Sequence, residues 1–236
     1  MKMLLTSIAI AVALTPLIRA QEETASPAEE AKADPEVPTG YEVGEDTISP
    51  DGRFAILYET RDENSNVDPG LPNLLVCLKP YAVLKEIETG DGVTWKDGRG
   101  AVAAKWSGND FVAVWHQRKW GNEGLVVYQI ANDKIKREEK IWPEVVKYFD
   151  RDFKGRFLKK YPDEDGYTFV SDEDRAREME FKDRKLILNI FAENKPNLAP
   201  GPAWSAELHA VWDLDKARFD KVDFEPGEIS VRKPQD

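Results

Sequence analysis

Two histidines, one cysteine and a large excess of carboxylates are the side chains here that could do chemistry. His116 and His209 would have to converge with a carboxylate to hold a metal. Neither stands in a spacing such as His-Glu-x-x-His, which puts two ligands on one helical face, so the residue order assigns no metal. His209 lies in Leu208-His209-Ala210-Val211-Trp212. Strand alternation groups Leu208, Ala210 and Trp212 on one side and His209 with Val211 on the other, so a hydrogen-bonded core or edge histidine is expected. His116 closes an apolar run and opens the polar stretch Gln117-Arg118-Lys119-Trp120-Gly121-Asn122-Glu123. With Arg118 and Trp120 it forms the candidate binding group. An exposed indole among hydrogen-bonding neighbours can stack on a sugar ring or anchor a protein interface. The competing reading folds Trp120 back onto the core.

Catalytic constellations find no support in the residue order. There is no Gly-x-Ser-x-Gly elbow, and Cys77 lies within Leu74-Leu75-Val76-Cys77-Leu78, an apolar setting that disfavours a thiolate. Gly90-Asp91-Gly92 and Asp97-Gly98-Arg99-Gly100 lack the Lys-Ser/Thr ending of a phosphate loop and read as turns. Asp163-Glu164-Asp165-Gly166 begins like a calcium loop but has no Glu at position twelve, so it too reads as a turn. Carboxylate pairs are so common in this chain that they single out no acid and base. No catalytic residue and no cofactor are therefore assigned.

The segments that must position these residues begin with an export-type leader over residues 1–20. Lys2 is followed by the apolar run Leu4 to Leu14, then Pro16, and Ala20 offers a cleavage point before Gln21. The run is about half the roughly twenty residues needed to span a bilayer, so no membrane span is expected. A single cysteine excludes an internal disulfide, and stability must come from a core. The formal net charge of −11 argues against nucleic acid as a partner. Residues 21–39 carry Glu22, Glu23, Glu29, Glu30, Asp34 and Glu36 with almost no large apolar side chain. Such a stretch cannot offset its ordering entropy and reads as a disordered acidic tether. A single β-rich domain is expected over residues 40–236.

Within that domain a pattern recurs. Thr47-Ile48-Ser49 leads through Pro50-Asp51-Gly52 into Phe54-Ala55-Ile56-Leu57-Tyr58. Ala104-Lys105-Trp106-Ser107 leads through Gly108-Asn109-Asp110 into Phe111-Val112-Ala113-Val114-Trp115. A looser copy runs from Thr168-Phe169-Val170-Ser171, past a charged insertion and the turn Lys182-Asp183-Arg184, into Leu186-Ile187-Leu188-Asn189-Ile190. Each copy is followed by a second apolar run and a short alternating piece. The fold class expected is mainly β, with stacked antiparallel meanders in about three blade-like units, as a propeller or a sandwich. The first run of every unit reads as apolar on both faces and demands cover on two sides. One amphipathic helix is inserted at about 143–161, where Val145, Val146, Phe149, Phe153, Phe157 and Tyr161 recur every three or four residues. Its basic residues Arg151, Lys154, Arg156, Lys159 and Lys160 read as dipole complements. A shorter helix is expected after Ser171.

Ile48-Ser49-Pro50-Asp51-Gly52-Arg53-Phe54-Ala55-Ile56 resembles the Ser-Pro-Asp-Gly strand turn of TolB-type β-propeller repeats. The second unit lacks the Pro, and the third keeps only Ser171. The resemblance implies a periplasmic interaction scaffold and transfers no functional residue, since the turn is structural. The leading functional reading is a non-catalytic, exported protein, periplasmic or extracellular, that binds a protein or glycan through loops at the rim of its sheets. A carboxylate-dependent hydrolase acting on a glycan and a structural subunit of an envelope complex are the alternatives.

Overall fold

The computed structural model describes residues 37–60, 71–87, 100–118, 121–170, 179–195 and 200–233. The chain lays down antiparallel meanders one after another. The first comprises β1 (Tyr41–Val43), β2 (Phe54–Glu59), β3 (Asn73–Leu78) and β4 (Tyr81–Ile87), hydrogen-bonded in that order. In the second, β5 (Gly100–Ser107), β6 (Phe111–Arg118), β7 (Gly121–Ala131) and β8 (Lys134–Lys140) repeat the arrangement. The helix α1 (Trp142–Asp152) and the short β9 (Thr168–Phe169) come next. They are followed by β10 (Met179–Lys182), β11 (Lys185–Glu193), β12 (Gly201–Ala203), β13 (Ser205–Asp213), β14 (Arg218–Pro226) and β15 (Ser230–Arg232). The third sheet runs β10-β11-β13-β14, and β12 pairs with β15 in a ribbon of two strands. Mainly β, stacked antiparallel sheets in three blade-like units and one inserted helix are what the sequence predicts. No helix among the described residues is long and apolar enough to cross a membrane.

Turn chemistry fixes the registers. The β7–β8 and β10–β11 hairpins each have two-residue loops, Asn132-Asp133 and Asp183-Arg184, with positive φ at both positions. That is the type I′ geometry whose twist matches paired strands. In the β3–β4 hairpin, Leu78 pairs with Tyr81 across a cis Lys79-Pro80 peptide. Before β2, the Ser49 hydroxyl accepts from the backbone N–H of Arg53 and of Phe54, at 3.1 and 2.9 Å, and donates to the Asp51 carboxylate at 2.7 Å. Gly52 takes φ +70° there, so the Pro-Asp-Gly spacing serves the turn as expected.

Burial explains the stacking. In β6, Val112 and Val114 face one way, and Phe111, Ala113 and Trp115 the other; all are buried. The valine side packs with Phe54, Ile56, Tyr58, Leu75 and Cys77 of the first sheet. The opposite side packs with α1 and with Leu186, Leu188, Leu208 and Ala210 of the third. Hence the second sheet is sandwiched between the other two. Trp106 Nε1 donates to the Thr47 carbonyl at 2.8 Å, and Lys85 pairs with Glu138 at 2.8 Å, tying the first two sheets together. The far face of the first sheet holds Ala55, Leu57, Leu74, Val76 and Leu78, against which Val37, Tyr41, Val43 and Tyr81 pack.

The third unit departs from expectation in two ways. Its strands are not apolar on both faces. In β11, Leu186, Leu188, Ile190 and Ala192 are buried, while Lys185, Ile187, Asn189, Phe191 and Glu193 are half-exposed. As the outermost layer on its side, this sheet needs apolar residues on one face only. Its first strand is also split: β10 pairs with the start of β11, and β9 with the end, Ala192 opposite Phe169. The helix expected after Ser171 lies outside the described residues, as do the Gly90-Asp91-Gly92 turn and most of the one that ends at Gly100.

The inserted helix also differs from a regular span over 143–161. It starts one residue earlier, with Pro143 in its first turn, and its α-helical part ends at Asp152. Phe153–Phe157 form a π turn in which Leu158 N donates to the Phe153 carbonyl, five residues back, at 3.0 Å. A last turn closes with Tyr161 N on Phe157 O at 3.0 Å. Gly155, at the centre of the widened turn, supports regular helix weakly, and the widening leaves both Phe153 and Phe157 buried. Lys154 pairs with Asp150 and Arg156 with Asp152, so these two cations serve the helix itself.

Asp152 fastens that helix to the third sheet. Its carboxylate accepts from the buried Trp204 Nε1 at 2.8 Å and from Arg156 at 3.0 Å, and Arg156 reaches on to the Gly227 carbonyl at 2.9 Å. Truncation leaves a buried indole N–H without its acceptor and a partly buried guanidinium without its counter-ion. We expect Asp152→Ala to cost about 2–4 kcal/mol in urea unfolding, with Asp152→Asn, which can still accept from Trp204, costing less.

Candidate functional site

The candidate binding residues sit at one end of the second sheet. There β5, β6 and β7 run together, with His116 between Val102 and Gly124, and Arg118 between Gly100 and Gly121. A register shift between His116 and Gln117 marks a bulge, a device that re-aims side chains. The backbone of His116 and Arg118 is described but their side chains are not, and Trp120 lies outside the described residues.

At the other end of the stack, the turns of all three sheets meet. The Asp51 N–H donates to Asn109 Oδ1 at 3.2 Å, linking the first two sheets. Arg184, in the β10–β11 turn, pairs with Asp110 of the second sheet at 3.4 Å and with Asp215 at 2.8 Å, and its guanidinium lies 4.9 Å from the Phe111 ring centroid. Arg53 pairs with Asp133. In the β13–β14 turn, Asp213 Oδ1 accepts from the N–H groups of Asp215 and Lys216 at 3.0 and 2.9 Å, while Oδ2 binds Lys216 Nζ at 2.8 Å. The Lys216 hydrogen bonds hold Asp213 well below the ordinary carboxylate range. Hydrogen bonds from Arg184 lower Asp215, and those from Lys185 and Lys216 lower Asp220. These charges satisfy one another, and the end of the stack that they close has a structural role.

A third group stands on the half-exposed face of the third sheet. Glu207 and His209 are two residues apart on β13 and share that face. Glu225 on β14 lies directly opposite Glu207, Asp223 opposite His209, and Asn189 of β11 opposite His209 on the other side. His209 Nδ1 is 2.7 Å from Asn189 Oδ1, and Nε2 is 3.6 Å from Glu207 Oε1. One donor atom each from Glu207, His209 and Glu225 lie within 4.8 Å of one another. One imidazole with two carboxylates is a set that could hold a divalent cation. The hydrogen-bonded histidine expected from the sequence is thus present, on the half-exposed face of the interior strand β13 and facing the same way as Val211. Its carboxylate neighbours were not identified there. Glu207-x-His209 is visible as a pair, but Glu225 joins it only through the β13–β14 register, which shifts between Val211 and Trp212.

Cys77 is buried and unpaired, as an apolar strand residue should be. Asp163-Glu164-Asp165-Gly166 forms no regular element after the helix, and Glu164 is engaged by Lys195. Comparison with protein families, with curated proteins and with solved structures finds no match to this chain.

The linked turns set the acid limit of the fold. In the unfolded chain Asp213, Asp215 and Asp220 take up protons around the ordinary value of 3.8, whereas the folded state keeps them charged to lower pH. Their stabilisation is therefore complete above that value and is lost as pH falls through it toward the lower folded values. Urea midpoints between about pH 7 and pH 2 should be flat at first and then fall. Asp213→Asn should lower the neutral midpoint and make the acid limb shallower.

Proposed function

We propose that the protein is exported and acts as a non-catalytic binding or scaffold protein, contacting a protein or glycan through the β6–β7 hairpin end of its middle sheet. The observation that supports this most is the strand pairing at that end of the sheet: β6 and β7 stay paired out to Arg118 opposite Gly121, and β5 and β7 flank His116 and Arg118 on either side. Binding residues concentrate on loops held by rigid scaffolds, and paired strands of this kind are such a scaffold. Trp120, in the sequence between those paired positions, supplies the aromatic group, and Arg118 the charged one.

The leader-like residues 1–20 and the acidic composition support export. The consecutive four-stranded meanders, with a Ser-Pro-Asp-Gly turn ahead of β2, support kinship with propeller-type scaffolds of the TolB kind. We assign the stack the same role, a frame that holds loops at its rim.

Two measurements test this reading. The protein recovered from outside the cytoplasm should begin within a few residues of Gln21; recovery of the intact leader on a cytoplasmic product would contradict export. Thermal melting across a panel of glycans and peptidoglycan fragments, with capture of partners from an envelope extract, tests binding. A ligand at about a hundred times its Kd stabilises by about 2.7 kcal/mol. That gain, or the captured partner, should be lost in Arg118→Ala/Trp120→Ala without a change in the unliganded melting temperature. A flat panel, or binding that survives both substitutions, would overturn the assignment.

A further inference from the structure

We propose that Glu207, His209 and Glu225 form a surface site for a first-row divalent transition metal, zinc-like in its preference for mixed imidazole and carboxylate ligands. The site lies on the outer face of the third sheet and does not depend on the binding role assigned to the β6–β7 hairpin.

Three independent features converge on it. First, strand geometry brings the donors together: alternation puts Glu207 and His209 on one face of β13, and the register sets Glu225 across from Glu207. Ligand atoms each about 2.0–2.2 Å from one ion lie roughly 3–4 Å apart. Donors already within 4.8 Å of each other need only small rotations of the two long glutamate side chains.

Second, the imidazole is oriented for ligation. Asn189 Oδ1 can only accept, so the 2.7 Å contact calls for a proton on Nδ1, and the neutral imidazole with that proton offers its Nε2 lone pair to a ligand. Nε2 faces Glu207 Oε1 at 3.6 Å. A carbonyl oxygen holding the remote ring nitrogen is the outer-shell arrangement found behind metal-bound histidines.

Third, the charge here is unbalanced. Like charges directly opposite in an antiparallel pair are destabilising, and Asp223 adds a third carboxylate across from His209. Elsewhere on the sheet carboxylates have cationic partners: Asp220 has Lys185, Asp213 has Lys216 and Glu193 has Arg232. Among the described residues, neither Glu207 nor Glu225 pairs with a lysine or arginine. A divalent cation would supply the missing positive charge.

One nitrogen and two carboxylates suit Zn²⁺ or Co²⁺ better than Ca²⁺ or Mg²⁺, which take mainly oxygen ligands in larger number or with retained water. Three protein ligands leave a position for water.

The test uses the full chain after treatment with a chelator. Calorimetric titration with Zn²⁺ should show one ion per chain with Kd on the order of micromolar, about −8 kcal/mol. Co²⁺ should give the visible absorption of a low-coordinate site, and Ca²⁺ should bind at least tenfold more weakly. His209→Ala and Glu225→Gln should each weaken Zn²⁺ binding at least tenfold, and Asn189→Ala by about tenfold through loss of imidazole orientation. Glu207→Gln supplies a readout of opposite sign: removing one of two facing charges should raise the metal-free melting temperature while reducing the rise that Zn²⁺ produces. Circular dichroism establishes that each variant is folded, and exposed Glu225 gives a variant with little effect on the core. No Zn²⁺ uptake at millimolar concentration, or uptake unchanged in folded Glu225→Gln and Glu207→Gln, would overturn the proposal.

Discussion

The structure depends on one constraint: β6 is buried on both faces. A strand with Val112 and Val114 on one side and Phe111, Ala113 and Trp115 on the other cannot stand in a sheet with a wet face. Each large side chain left in water would forfeit about 1.5–3 kcal/mol. The second meander must therefore be covered twice. The first sheet covers the valine side, and the third sheet, with α1, covers the other. The stack of three and the placement of the helix between β8 and β9 follow from that demand.

The third sheet, outermost on its side of the stack, solves a different problem. It turns its apolar side chains inward and leaves a polar outer face, on which Asn189, Glu207, His209 and Glu225 are set out in cross-strand pairs. Its inner face is sealed by aromatic packing. Phe149 meets Phe169 at 5.0 Å and Phe224 at 5.2 Å, and Phe153 meets Trp204 at 5.0 Å. The Asp152 carboxylate, between Trp204 and Arg156, satisfies the polar groups that this packing buries. A helix with weak local propensity around Gly155 is held by these contacts, and its π turn is where regular geometry yields to them.

Much of this architecture was legible in the residues. The runs Phe54 to Tyr58 and Phe111 to Trp115 are apolar at consecutive positions, which only two-sided burial satisfies, and the turns ahead of them carry Gly52 and Gly108 at positive φ. The third unit was harder to read. Ile187 occupies the outer face of β11, so Leu186 to Ile190 imitates a strand buried on both sides, and only Asn189 with the flanking Lys185 and Glu193 betrays the wet face. The split of the first strand into β9 and β10 was obscured by the charged segment between them. The Glu207, His209 and Glu225 group was beyond reach, because cross-strand neighbours are set by register, and a bulge between Val211 and Trp212 shifts the register within the same hairpin.

Two-sided burial of the middle sheet is tested most directly by urea unfolding of a matched set of aspartate substitutions. Ala113→Asp and Val114→Asp probe opposite faces of β6, with half-exposed Val211→Asp on the third sheet as the reference. Both β6 variants should lose at least about 3 kcal/mol, since each buries an unpaired carboxyl group, while Val211→Asp should lose far less. Tolerance of aspartate at either Ala113 or Val114 would show that one face of the middle sheet is open to water and would contradict the three-layer account.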